Sequence, residues 1–138
     1  MTQVVVDTSV LIRYLIKPST AIRELIEDHW LGGDMRMVTA PPLIEELQRV
    51  LQRDYIKALI HAEEGQALLE AIYRKADILP QLAEVPSFTR DPKDDKFIAC
   101  ALAGNAAYVI SVDKDLLVLG SLQDVHVMTP YDFVHRSE

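Results

Sequence analysis

This sequence predicts an α/β fold built on a mainly parallel sheet, and two features carry the prediction. Short apolar runs alternate with stretches whose apolar residues recur at helical spacing, the pattern of strands joined by crossover helices. The runs at residues 4–6 (Val-Val-Val) and 107–112 are nearly continuous in apolar residues, as expected of parallel strands covered on both faces. Each is followed by an aspartate, Asp7 or Asp113. In open parallel sheets ligands sit beyond the carboxyl ends of the strands, so both acids fall where a site belongs.

After the first strand, a helix is expected over about residues 9–16, punctuated by Pro18-Ser19-Thr20. Taken alone, Asp7 reads as the cap of that helix. Ile22, Leu25, Ile26, Trp30 and Leu31 predict a second helix, closed by Gly32-Gly33-Asp34, and residues 36–39 a second strand. Pro41-Pro42 opens a third helix with the stripe Leu43, Leu47, Val50 and Leu51, ending near Tyr55. At about 100° per residue, Glu46 lies at the edge of that stripe and Glu45 nearly opposite. Glu46 therefore points towards a crevice, unless both belong to an exposed pair balanced by Arg49 and Arg53. Residues 62–76 form a further helix with Leu68, Leu69, Ile72, Tyr73 and Ala76 inward. Residues 77–79 read as a brief strand and 80–91, broken by Pro80 and Pro86, as loop.

Residues 90–117, RDPKDDKFIACALAGNAAYVISVDKDLL, are the stretch around which the chain is organised. Asp91-Pro92 reads as an N-cap and first helical residue, which makes Asp94 the third helical residue and Asp95 the fourth. Gly104-Asn105 is expected to end the helix in the left-handed conformation. Asp95, Ile98, Ala99 and Leu102 recur at i, i+3, i+4 and i+7 and so share one face, apolar except for Asp95. A carboxylate at the head of a buried stripe suggests a functional group, and this spacing selects Asp95 over Asp94. Beyond Asp113, residues 114–119 predict a helical turn, 125–128 a last strand and 131–135 a short tail.

Composition narrows the chemistry. The chain has 138 residues, 49% hydrophobic and 25% charged, with a formal net charge of −7, ordinary for one soluble globular domain. The acid surplus argues against holding nucleic acid by general electrostatic attraction. It is compatible with phosphates brought in through a bound divalent metal. With no apolar run of membrane-spanning length and no signal-peptide pattern in MTQVVVDTSVL, a cytoplasmic location is expected. The single cysteine, Cys100, fits a reducing compartment and reads as a small buried hydrophobe. His29, His61, His126 and His135 lack zinc-type spacing, and no nucleophile elbow, Walker loop or dinucleotide fingerprint is present.

Four carboxylates, Asp7, Glu46, Asp95 and Asp113, thus stand at strand ends or on helix faces next to the predicted sheet. Several oxygen ligands with little help from His or Cys suit a hard cation such as Mg²⁺ or Mn²⁺. Such an ion activates water and offsets charge in phosphoryl transfer.

At this point the residues show a resemblance. VVVDTSVL near the start, EELQRVL in the middle and DPKDDKFIACALAGNAAYVISVDKDLL towards the end resemble the PIN domain family. They are similar above all to its small prokaryotic branch, which includes VapC-type toxins of toxin–antitoxin pairs. The similarity spans almost the whole chain, and D-D-K-F-I-A followed by V-D-K-D-L-L is its most specific part. The resemblance implies a three-layer α/β/α sandwich and metal-dependent hydrolysis of single-stranded RNA. It also implies frequent homodimers and, in the toxin branch, an antitoxin partner. It matches Asp7, Glu46, Asp95 and Asp113 to the family's catalytic, metal-binding acids and sets the small hydroxyls of Ser9 and Ser111 beside them. Asp94 and Asp115 are auxiliary acids or simple helix caps. Arg90, Lys93, Lys96 and Lys114 flank the acids and are candidates for guiding a phosphate backbone, or solvated surface charge. The rival readings are a non-toxin RNA-processing nuclease and a catalytically weak RNA- or protein-binding module. An aspartyl-phosphate enzyme fits less well, because Ser9 stands where the common phosphatase pattern has a second aspartate.

Overall fold

The computed structural model describes residues 1–82 and 92–136. Among them, strands β1 (Thr2–Val6), β2 (Met35–Thr39), β3 (Asp77–Ile78), β4 (Tyr108–Ile110), β5 (Ser121–Leu122) and β6 (Val125–Met128) form one sheet in the order β3-β2-β1-β4-β6-β5. All pairs are parallel except β5 with β6. The valine run explains itself in this frame. Val4 and Val6 join a core cluster with residues of helices α1 (Thr8–Ile16), α3 (Pro41–Leu51) and α5 (Ala62–Lys75), while Val5 joins a second cluster with Phe97 and Ile98 of α6 (Asp95–Ala103). Side chains alternate along a strand, so covering both faces leaves no polar position. The result is an α/β/α sandwich.

The order of the strands creates a crevice. From β1 the chain moves outward to β2 and β3, then returns through α6 to β4 on the other side of β1. Connections that part in this way leave a gap at the carboxyl ends of the two central strands. Val6 pairs with Ile110, and the Asp7 N–H donates to the Ile110 carbonyl at 2.9 Å. Asp7 and Ser111 therefore emerge side by side at that gap.

Several helices differ from their expected form. The second begins as α2 (Thr20–Arg23), capped by Ser19, and passes into a π-helical stretch, Glu24–Trp30. Wider winding brings residues five apart onto one side, and Leu25, Ile26 and Trp30 are all buried. The third helix stops at Leu51 rather than near Tyr55; a separate turn, α4 (Asp54–Lys57), follows. A short edge strand, β5, was not anticipated. Before α6 the chain makes a 3-10 turn, Pro92–Asp94, while Asp91, the expected cap, lies outside the described residues. At the far end Asn105 takes the left-handed conformation (φ 56°). Gly104 does not; its Cβ would stand 2.5 Å from Val38 Cγ1. Glycine is needed there because the end of α6 lies against β2, not for its conformational freedom.

The buried face of α6 matters most for the site. Asp94, Phe97, Ile98 and Ala101 are buried, whereas Ala99 and Leu102 are only half-buried. The deepest stripe thus runs at i, i+3, i+4 and i+7 from Asp94, one residue earlier than the stripe expected from Asp95. Asp95 and Cys100 are buried as well, so α6 is covered around much of its circumference. Apolar periodicity cannot fix the orientation of such a helix. No helix of the described residues is long and apolar enough to cross a membrane.

Candidate functional site

Asp7 is the hub of the crevice. As N-cap of α1 it accepts the Ser9 N–H on Oδ1 (3.2 Å) and the Ser9 hydroxyl on Oδ2 (3.0 Å). From the end of β4, the Ser111 hydroxyl donates to the same Oδ2 at 2.5 Å and accepts the Asp113 N–H at 2.9 Å. Asp113 caps α7 (Lys114–Leu117), its Oδ1 accepting the Asp115 N–H at 2.8 Å. One chain of hydrogen bonds therefore links Asp7, Ser111, Asp113 and Asp115 across two strand ends. A helix cap is usually wet, but Asp7 is only 4% exposed. Burial pushes its carboxyl above the usual carboxylate range; the bonds from Ser111 and Ser9 pull it back, and the charge of Glu46 pushes it up again.

Glu46 reaches the crevice from α3, half-buried, while Glu45 is exposed, as the helical spacing predicts. The Thr8 hydroxyl donates to Glu46 Oε2, and Lys96 Nζ, from α6, lies 2.8 Å from Oε1. Asp94, Asp113 and Asp115 each bring one ligand atom to within 4.8 Å of the others. Asp94 also lines a pocket of about 590 Å³ together with Asp7, Thr8, Ser9 and Glu46. Its side chain makes no capping bond to α6. Of the four acids selected from sequence, Asp7, Glu46 and Asp113 meet at this gap. Asp95 lines neither the pocket nor the three-aspartate group; its neighbour Asp94 belongs to both. Of the expected auxiliaries, Asp115, Ser9 and Ser111 touch the hydrogen-bonded chain, and Asp94 stands in the pocket and the three-aspartate group.

The basic residues are distributed less simply. Lys93 lines the pocket and is exposed, Lys96 is held by Glu46, and Lys114 is an exposed residue of α7. Arg90 lies outside the described residues. Sequence reasoning missed Thr8, Arg13 and Tyr55, which also line the pocket, and read Arg53 there only as charge balance. Arg13 could have been found from Ser9, since residues four apart share a helix face. Tyr55 carries no comparable signal.

A donor set of aspartate oxygens, without His or Cys, fits a hard divalent cation. Clustered carboxylates in a buried crevice repel one another, and Asp7 already registers that repulsion.

A family model described as PIN domain matches residues 3–115. The chain belongs to the PIN domain family. Asp7, Glu46, Asp94, Asp113 and Asp115 all fall within the matched PIN domain. Among solved structures, VapBC2 from Rickettsia felis bound to a DNA fragment from their promoter is similar, with a TM-score of 0.61 and 10% identity, covering 91% of this chain and 97% of that one. FitAcB from Neisseria gonorrhoeae matches with a TM-score of 0.59 and 16% identity, covering 93% of this chain and 98% of that one. At such identities the likeness establishes the fold. No curated protein matches the sequence.

Proposed function

We propose that this PIN domain is a metal-dependent endoribonuclease that hydrolyses phosphodiester bonds of single-stranded RNA and serves as the toxin of a toxin–antitoxin pair. The observation that carries the proposal is the gathering of Asp7, Asp94 and the pair Asp113 and Asp115, from three places in the chain, at the gap between β1 and β4. In this reading Asp94 takes the part that sequence spacing gave to Asp95. Asp94, Asp113 and Asp115 hold Mg²⁺ or Mn²⁺ with Asp7 beside them; Asp7 is kept in place by Ser9 and Ser111. A bound ion supplies an activated water and offsets charge on the phosphoryl oxygens. Arg13, Arg53 and Lys93 at the pocket receive backbone phosphates, and exposed Tyr55 offers a ring on which a base stacks.

Partners belong to surfaces away from this pocket. An apolar cavity of about 470 Å³, lined in part by Leu15, Ile26, Trp30, Leu31 and Leu68, suits an antitoxin segment. Exposed Leu59, just after α4, and Tyr73 on α5 suit a homodimer contact. A cytoplasmic location belongs to the proposal too. The non-toxin processing nuclease uses the same site and differs only in lacking an antitoxin.

A second reading, a binding module with weak catalysis, draws support from Glu46, both of whose oxygens already accept hydrogen bonds. Cleavage of a defined single-stranded RNA with Mn²⁺, and with a chelator, separates the two. Asp94→Asn is expected to abolish cleavage and Mn²⁺ binding while Asp95→Asn retains Mn²⁺ binding. Wild-type cleavage by Asp94→Asn refutes the site, and absence of metal-dependent cleavage by the wild type favours the binding module.

A further inference from the structure

We propose that Lys96 is a built-in counter-cation for Glu46, so that Glu46 can join a bound divalent ion only when Lys96 lets it go. The proposal rests on the metal-dependent reading above and concerns how that site loads. Nothing in the sequence distinguishes Lys96 from its neighbours Lys93 and Lys114. In the fold it is held from three sides. Its ammonium lies 2.8 Å from Glu46 Oε1, donates to the Lys93 carbonyl at 2.5 Å, and stands 5.0 Å from the centre of the Phe97 ring. Its side chain is only 14% exposed, whereas a lysine serving as solvated surface charge extends into water.

The pair divides the acids of the crevice into two groups. Asp94, Asp113 and Asp115 come together without Glu46, and a cation placed among them needs nothing from α3. Glu46 has one oxygen on Lys96 and the other on Thr8. A carboxylate oxygen already bound to an ammonium offers a cation much less than an unshared one, because the two positive charges compete for it. Pairing also removes one negative charge from a crevice crowded with them, which lets the metal-free protein fold around its own site. Lys96 is thus a positioning residue: it acts through Glu46.

Calorimetric titration of the full chain with Mn²⁺ alone tests this. Lys96→Met keeps the length and apolar stem but removes the charge, and is expected to tighten Mn²⁺ binding about 10-fold, the scale on which residues supporting metal ligands act. In a Glu46→Gln background the same substitution should change the affinity by less than about 3-fold, since the carboxylate it releases is absent. Lys96→Arg, which keeps the charge, should stay close to wild type and provides a second reading if Lys96→Met fails to fold. A Lys96→Met that binds Mn²⁺ no more tightly overturns the proposal. So does a gain of equal size with Glu46→Gln present, which marks a general charge effect. Failure of every variant and of the wild type to bind Mn²⁺ defeats the metal-dependent reading itself.

Discussion

Replacing Ser111 with alanine removes one hydroxyl from the middle of the chain of bonds that joins the two strand ends. Ser111 is fully buried; its hydroxyl donates to Asp7 Oδ2 at 2.5 Å and accepts the Asp113 N–H at 2.9 Å. A hydrogen bond to a charged group contributes about 1.5–3 kcal/mol and a neutral one about 0.5–1.5 kcal/mol. Ser111→Ala should therefore destabilise the metal-free protein by about 2–4 kcal/mol. For a domain of this size that corresponds to a fall in Tm of roughly 6–15 °C. Ser9→Ala is the matched control: Ser9 is half-exposed, and its N–H still bonds Asp7 after the hydroxyl is gone. Its cost should be about 1 kcal/mol or less. Urea denaturation with a chelator present measures both. If Ser111→Ala loses no more stability than Ser9→Ala, the bridge between β1 and β4 does not hold the site together, and the reasoning fails.

Three further predictions rest on other contacts. Asp7 has its folded pKa raised above the ordinary 3.8, so its stabilising contribution is complete below that value and is lost as pH rises through the folded pKa. Without metal, Asp7→Asn should gain on wild type as pH climbs above 3.8; a stability gap independent of pH, measured by thermal denaturation across that range, counts against burial as the cause. Gly104→Ala should lose about 1–3 kcal/mol through overpacking against Val38, while Asn105→Gly, relieving a positive φ, should cost little or nothing. Urea denaturation giving the opposite order removes the close-approach explanation. Finally, Mn²⁺ at about 100 times its dissociation constant should stabilise the wild type by roughly 2.7 kcal/mol and leave Asp94→Asn unmoved in a thermal shift assay.

Much of the architecture was legible because it follows from local patterns. The valine run of β1, the alternation of strands with helices and the aspartates following β1 and β4 each need only a short window of sequence. The outward Glu45 and inward Glu46 were legible for the same reason, since α3 has one apolar side and one wet side. Where that contrast disappears, so does the signal. On α6 nearly every side chain is covered, so apolar spacing singled out the stripe beginning at Asp95 and gave no sign of the one beginning at Asp94. The π-helical stretch of the second helix and the break between α3 and α4 were hidden too, because packing against the core sets them.

By itself, then, the sequence determined the α/β class, the strand order's raw material and a short set of acids standing at element ends. Those features depend on side-chain period and on residues a few positions apart. Only the folded chain decided that Asp94 lies with Asp113 and Asp115, that Ser111 joins Asp7 to Asp113, and that Lys96 closes on Glu46 across 50 residues. Contacts of that kind depend on how one helix is rotated against the sheet, and that rotation is fixed by the sum of packing over both of its faces rather than by any pattern along it.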